Sequence, residues 1–246
     1  MRALVLTYDR YRLITEHMLK TYSIHWPNNK FIFRIPYQED TRICAHGQAI
    51  ELVQMGSGIK ETVRGLLQGI PDDEWVFWCL DDKFLIAIDE NAASYFSNWL
   101  SEINDPLISG LCFCRARRLL LPDTVNEIAK ARTARGDPLL LRLNYNQIWL
   151  HQFLRARVVR ALFDTFPDIN FKAEEMDIFK NKQVIPHDTN LYVTERNYAV
   201  FGESTVGGKL TKGCMASMQK FAVKIPLNFE VMDMSVVIGD LGSGGD

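Results

Sequence analysis

Six consecutive apolar residues, Trp75-Val76-Phe77-Trp78-Cys79-Leu80, run straight into two aspartates, Asp81-Asp82. The run is rich in aromatic and β-branched side chains and has the length of a strand buried on both faces. After Lys83 comes a second apolar run, Phe84-Leu85-Ile86-Ala87-Ile88. Adjacent carboxylates repel each other and resist desolvation. They make sense here if the strand ends at a crevice and a divalent cation neutralises them. Mg²⁺ and Mn²⁺ take carboxylate oxygens and complete their shells with substrate phosphate and water. In open α/β sheets that strand end is also where ligands collect. An Asp-Asp pair taken alone is more plainly an acidic turn; the dry strand in front and the apolar run behind set this pair apart.

The surrounding chain alternates between two periods. Ala3 to Leu6 reads as a buried strand ending at Thr7-Tyr8-Asp9. Tyr11, Ile14, Met18, Leu19 and Tyr22 then share one helical face. Phe31 to Ile35 is a second strand, closed by Pro36-Tyr37. Strand, helix, strand implies a parallel pair with a right-handed crossover. Thr41 to Gln54 fits either period. Ser57 is placed to cap a helix carrying Ile59, Val63, Leu66, Leu67 and Ile70 on one face, and Asp89 to cap one with Ala93, Phe96 and Leu100 inward. Leu107 to Phe113 is another strand. From Arg115 to Arg142 the chain turns basic; Thr124-Val125-Asn126-Glu127 fits a capping box, so loop plus short helix is expected. Leu150, Leu154, Val158, Ala161 and Leu162 predict a helix, and Asp168 to Asn181 a second helix or a loop entering one. Leu191 to Val193 is a short strand, Glu195 to Lys212 a Gly-rich loop, and Cys214 to Phe221 a last helix.

These elements predict an α/β fold with nucleotide-type topology over the first 115 residues. Neither G-x-G-x-x-G after the first strand nor G-x-x-x-x-G-K-[ST] occurs, so a dinucleotide fingerprint and a P-loop are unsupported. The 246 residues read as one domain, with a half of nucleotide-type topology over 1–115, a second half over 116–225 and a flexible tail over 240–246. A formal charge of −2 supplies no basic field for nucleic acid. Five cysteines without a CxxC pair, and an amino terminus that enters Ala3-Leu4-Val5-Leu6 directly, fit a reducing, cytoplasmic setting. Cys112 and Cys114, two apart, are expected to pack on the same side of a strand.

The order of these features resembles the GT-A-fold nucleotide-sugar glycosyltransferases. The stretch from Trp75 to Asp89 is similar to a bacterial subset whose metal motif reads leucine, two aspartates, an aromatic and an aliphatic residue. Asn144-Tyr145-Asn146-Gln147-Ile148-Trp149, then Ala173-Glu174-Glu175-Met176-Asp177, is similar to the acceptor-side segment of those enzymes, and Gly208-Lys209 to their late loop. The resemblance covers Arg2 to Lys212 and implies a mixed, mostly parallel sheet flanked by helices, with a nucleotide-binding half over 1–115, an inserted basic segment and an acceptor-side half over 116–225. One departure stands out: the usual D-x-D triplet is here Asp81-Asp82-Lys83. Either Leu80-Asp81-Asp82 takes its place, or Lys83 replaces the last carboxylate, weakens metal binding and itself contacts phosphate.

On this reading Asp81 and Asp82 hold Mn²⁺ or Mg²⁺, which stabilises the departing diphosphate as a Lewis acid. His187 is a further metal ligand or phosphate donor, as a late histidine is in some GT-A families. Thr7, Tyr8, Asp9 and Tyr37, at the ends of the first two strands, are candidates for base and ribose contacts. Lys60 and Arg64 are placed to reach the diphosphate or the base. Lys209 is placed to close over the phosphates. Inversion at the sugar carbon needs a base for the acceptor proton. Glu174 and Asp177 share a helix face, with Glu175 about 100° away; family position puts Glu175 first and Glu174 second. Gln147 and Trp149 are candidates for the acceptor, a saccharide or lipid-linked saccharide, and the basic segment is a candidate for peripheral membrane contact. Two other classes stay in view. A nucleotidyltransferase would carry a Gly-rich basic loop after the first strand, where this chain has Thr7-Tyr8-Asp9-Arg10-Tyr11-Arg12. A nucleotide-sugar-binding subunit of the same shape without turnover is suggested by Lys83.

Overall fold

A computed structural model describes residues 1–56, 58–114, 125–168 and 173–241; at 125–130 and 173–174 it describes the backbone. The apolar run before the aspartates is strand β4 once the chain is followed from its start. Strand β1 (Arg2–Leu6) leads through a 3-10 turn at Asp9–Tyr11 into helix α1 (Arg12–His25). Strands β2 (Ile32–Tyr37) and β3 (Ala49–Gln54), helix α2 (Ile59–Leu66) and β4 (Trp75–Leu80) follow. Thr41 to Gln54 thus resolves as loop and edge strand. The cap position of α2 is Gly58; Ser57, expected there, lies outside the described residues.

All six residues of β4 are buried, and its register explains why. β4 pairs parallel with β1, Arg2 opposite Val76 through Leu6 opposite Leu80. Successive side chains on a strand point to opposite faces. Phe77 and Cys79 therefore join Ala3, Val5 and α1 residues Met18, Leu19 and Tyr22 in one core. Trp78 and Leu80 join Leu4, Leu6 and α2 residues Val63 and Leu66 in the other. A strand covered on both faces has no room for a polar residue until it ends, and it ends at Asp81.

Beyond it come β5 (Lys83–Ile88), α3 (Glu90–Glu102) and β6 (Ile108–Cys112). The Asp89 side chain caps α3 by accepting from the Ala92 amide at 3.0 Å, and Ala93, Phe96 and Leu100 are fully buried, as expected. Cys112 and Cys114 part company: Cys112 packs with Leu140, Leu150 and Val193, whereas Cys114, past the end of β6, turns into the core with Phe113.

Three stretches depart from the sequence reading. Residues 125–132 form strand β7 (Val125–Arg132), paired antiparallel with β8 (Pro138–Arg142). The capping-box tetrapeptide is strand from Val125 on, and its Thr124, with the rest of 115–124, lies outside the described residues. Leu150 to Arg155 is not helical: β9 (Gln152–Arg155) lies between β4 and β6, antiparallel to both. Helix α4 (Ala156–Asp164) starts only after it. The helical period misleads because Leu154 at the strand end enters the same core as Val158 and Leu162. After α5 (Ala173–Asn181) and β10 (Asn190–Thr194), the supposed Gly-rich loop holds β11 (Ala199–Glu203), β12 (Thr205–Val206) and β13 (Lys209–Thr211). Gly202 is a strand glycine whose missing Cβ leaves room for the Phe84 ring. Gly207 and Gly208, at φ 57° and 77°, make the two-residue turn between β12 and β13. Helix α6 (Lys212–Lys220) and short strands β14 (Val231–Met232) and β15 (Val237–Ile238) complete the chain.

The nine-stranded sheet runs β3-β2-β1-β4-β9-β6-β10-β8-β7. Its β3-β2-β1-β4 half is parallel, as is the β6–β10 pair. Helices α1 and α3 pack on one face and α2 and α4 on the other. This is the mixed, mostly parallel α/β sheet that the sequence predicts. β5 leaves it to pair with β11, which pairs on its other side with β15. Among the described residues no helix is long and apolar enough to cross a membrane.

Candidate active site

In the order β3-β2-β1-β4 the chain steps one way from β1 to β2 and the other way to β4. The carboxyl ends of β1 and β4 thus flank a topological switch point, where α/β sheets bind ligands. The residues there are Thr7 and Asp81. The Thr7 hydroxyl donates to Asp81 Oδ2 at 2.6 Å and lies 2.8 Å from the Thr15 hydroxyl on α1. Asp81 is 9% exposed. Burial, then the neighbouring Asp82 charge, pushes its carboxyl up to about 8, so it holds a proton at neutral pH. Burial pushes the Tyr8 phenol up to about 12.

A buried clamp fixes the end of β4. His151 Nε2 stands 2.8 Å from the Leu80 carbonyl, and Nδ1 stands 2.6 Å from the Tyr22 hydroxyl. Burial holds this imidazole neutral, down to about 3. A neutral ring with one N–H satisfies both contacts if Nε2–H donates to Leu80 and Nδ1 accepts from Tyr22. The sequence offers no sign of this pairing, which joins α1 to the segment before β9.

Asp82 faces the other way. Lys83, 6% exposed, places Nζ 3.1 Å from Asp82 Oδ1 and 3.5 Å from Glu203 Oε1. Burial pulls the Lys83 ammonium down, but Asp82 and Glu203 outweigh it and raise it. Glu203 has no local signal either: it arrives because β11 pairs antiparallel with β5, setting Glu203 opposite Lys83.

The remaining candidates divide by their partners. Asp9 accepts from the backbone amides of Gln38, Glu39 and Asp40 and from Arg12 at 2.8 Å. Burial raises its carboxyl, and those amides with Arg12 more than reverse the effect. It anchors the loop after β2 rather than standing free for a ribose. Asp9→Ala should therefore speed amide exchange at residues 38–40 by roughly ten-fold or more, with core amides unchanged; unchanged exchange at 38–40 would refute the anchor. Tyr37, half-buried at the end of β2, accepts the Met55 amide through its carbonyl. Lys60 donates to the Phe166 carbonyl and pairs with Asp168, and Arg64 pairs with Asp164 and Asp168, so both tie α2 to the end of α4.

Gln147 is 2% exposed, with its side chain against Cys112, and has no surface to offer an acceptor. The Trp149 indole N–H donates to Asp177 at 2.7 Å, and Lys180 pairs with the same carboxylate at 2.9 Å. This links the Asn144–Trp149 segment to α5, and it leaves Asp177 occupied. Glu175 is exposed near the start of α5; the Glu174 side chain lies outside the described residues. Lys209 pairs with Glu230 at 2.9 Å on the β12–β13 hairpin. In the basic segment, Arg142 is buried and donates to Gln152, while Arg135 lies over the Tyr95 ring and pairs with Asp137.

The expected metal centre does not fit these donors. His187 precedes β10, whose start lies level with the start of β6. β6 runs parallel to β4 because both oppose β9. His187 therefore belongs to the amino-end edge of the sheet, a strand length from Asp81. Asp81 is turned to Thr7 and Asp82 is answered by Lys83. Among the described residues no group of three His, Cys, Asp or Glu side chains is arranged to hold a metal.

A surface depression of about 620 Å³ lies beside α2 and is lined by Met55, Glu61, Arg64, Gln68 and Arg160. It is open; it takes in Gln54 at the end of β3 but neither Thr7 nor Asp81. Strand topology and the buried Thr7–Asp81 contact locate the candidate site better than this concavity does, because they bring chemistry together from distant parts of the chain.

No protein-family model matches the chain, and no curated protein matches it. Solved structures show distant similarity. The galactosyltransferase LgtC, in complex with donor and acceptor sugar analogues, aligns over 76% of this chain and 67% of its own, with 13% identity and a TM-score of 0.38. TarS 1–349 of S. aureus aligns over 80% and 59%, with 14% identity and a TM-score of 0.44. A 4-diphosphocytidyl-2C-methyl-D-erythritol synthase from Anaerococcus prevotii aligns over 78% and 88%, with 12% identity and a TM-score of 0.39.

Proposed function

We propose that this chain is a glycosyltransferase that moves a sugar from a nucleotide diphosphate to a hydroxyl of a saccharide or lipid-linked saccharide. The observation that carries the reading is the Thr7–Asp81 contact: a buried acid held by a hydroxyl across the switch point of a parallel sheet. Thr7, Tyr8 and Asp81 meet the nucleotide. Breaking the sugar–phosphate bond builds negative charge on the diphosphate. The protonated Asp81 carboxyl answers it as a hydrogen-bond donor, the use to which a carboxylic acid kept neutral near pH 7 is suited. Glu175, near the start of α5, takes the acceptor proton, and inversion follows if the acceptor attacks from the face opposite the diphosphate. A nucleotidyltransferase is disfavoured because Asp9–Tyr11 turns directly into α1, with no glycine loop.

Thermal shift with millimolar UDP-, GDP- and dTDP-sugars, each with Mn²⁺ and with EDTA, tests the reading. Stabilisation by at least one donor is expected; none by any would refute it. One observation favours a second reading, a nucleotide-sugar-binding module without turnover: a lysine stands among the carboxylates where a catalytic cation is usual. Donor hydrolysis without acceptor separates the two, since a transferase leaks sugar to water and a binding module does not.

A further inference from the structure

We infer that Lys83 is a resident counter-cation: its ammonium, held between Asp82 and Glu203, takes the place of a divalent metal, so that the site works without one. Three features support this. First, the ammonium is enclosed, on a side chain 6% exposed, with one carboxylate oxygen at 3.1 Å and a second carboxylate at 3.5 Å. Second, both acids are fixed around it by backbone. The Ser204 amide donates to the Asp82 carbonyl at 2.6 Å, and the Thr211 hydroxyl donates to the Glu203 carbonyl at 2.6 Å. The β5–β11 register sets Lys83 opposite Glu203. Third, a dication bound to Asp82 at the usual distance of about 2.1 Å would stand beside a buried like charge. To relieve the repulsion, the lysine would have to abandon both partners and carry its charge elsewhere through a packed interior.

The ammonium and the two carboxylates leave one net negative charge, whereas Asp82 and Glu203 without the lysine would present two, on oxygens already gathered by the fold. Removing the ammonium should therefore create the metal site that the intact chain lacks. The inference bears on how the proposed site handles charge, but its test does not depend on that reading, because no nucleotide is present.

The experiment is a Mn²⁺ titration of the full chain followed by electron paramagnetic resonance of the free ion. The wild-type protein is expected to leave the free signal unchanged up to millimolar metal. Lys83→Gln is expected to take up one equivalent at least ten-fold more tightly, and adding Asp82→Asn should remove that uptake. Wild-type uptake of one equivalent that Asp82→Asn abolishes would overturn the inference, and this arm needs no Lys83 variant to fold. A folded Lys83→Gln protein that binds no more Mn²⁺ than wild type would also overturn it. Failure of every sugar nucleotide to bind, with the titration as expected, would sink the proposed function and leave the counter-cation standing.

Discussion

Asp81→Asn should stabilise the protein above pH 7 and flatten the pH dependence of its stability. In the unfolded chain this carboxyl ionises near its ordinary value of 3.8; folded, burial and the Asp82 charge hold its proton until about 8. Between those values the native state binds a proton that the unfolded state has lost, so Asp81 lowers stability progressively as pH rises from about 4 to about 8. Above that the loss is constant. Asparagine cannot ionise, and its amide oxygen still accepts the Thr7 hydroxyl. Each ten-fold change in proton affinity between the two states is worth about 1.4 kcal/mol, which sets a ceiling of several kcal/mol. Relaxation around a buried charge lowers this to on the order of 2 kcal/mol. Urea unfolding from pH 6.5 to 8.5 is the right window. The buried histidines His17 and His151, held down to about 4 and about 3 by burial, titrate near 6.5 once unfolded, so they add a small rise in stability at the lower edge of the window, common to wild type and variant. Wild type should lose stability relative to the variant as pH rises across the window, the difference cancelling the shared histidine contribution; a variant less stable than wild type at pH 8 would show that Asp81 is ionised and satisfied.

The same substitution probes the chemistry. If Asp81 acts as a neutral donor, the carboxamide N–H replaces its O–H, and nucleotide affinity should survive within a few-fold. Asp81→Ala should weaken it by roughly a hundred-fold, as loss of one aimed donor does. If Asp81 instead served as a charged metal ligand, Asn and Ala would be equally damaging.

The second large effect is expected at the clamp behind the site. His151→Leu leaves two buried groups, the Tyr22 hydroxyl and the Leu80 carbonyl, without their partner. At about 1–3 kcal/mol for each orphaned group, the loss should fall in the range of roughly 2–6 kcal/mol. Tyr22→Phe alone orphans only the His151 Nδ1 acceptor and should cost less. In the double variant Tyr22→Phe relieves one orphan, so the two losses should not add; a coupling of about 1 kcal/mol or more is the signature of direct contact. Additive losses would mean that Tyr22 and His151 act independently. Because the clamp holds the carbonyl just before Asp81, nucleotide binding should fall in His151→Leu even at temperatures where the variant remains folded.

The contrast between Asp81 and His187 shows how far local pattern reaches. Both are polar residues at the margin of an apolar strand. Pattern places Asp81 at a strand mouth because a strand apolar on both faces can only be central, and a charge can follow only where the sheet stops. It misplaces His187 because nothing local says which end of the sheet a loop occupies; that depends on β10 running with β4, through β9 opposing both. The same distinction explains the 152–155 strand: its helical spacing is real, but pairing with two neighbours satisfies its backbone better than a helix would.

Side-chain pattern alone is enough for the alternating α/β plan, the dry central strand and the two carboxylates at its mouth, since these follow from periodicity and the cost of burying charge. What those carboxylates meet is settled in three dimensions. Asp81 finds Thr7 because β1 and β4 are neighbours, and Asp82 finds a lysine whose second partner, Glu203, comes from a strand far along the chain. Hydrophobic period is written along the chain, whereas the partner of a charge is set by strand register across it, and register exists only once the sheet has formed.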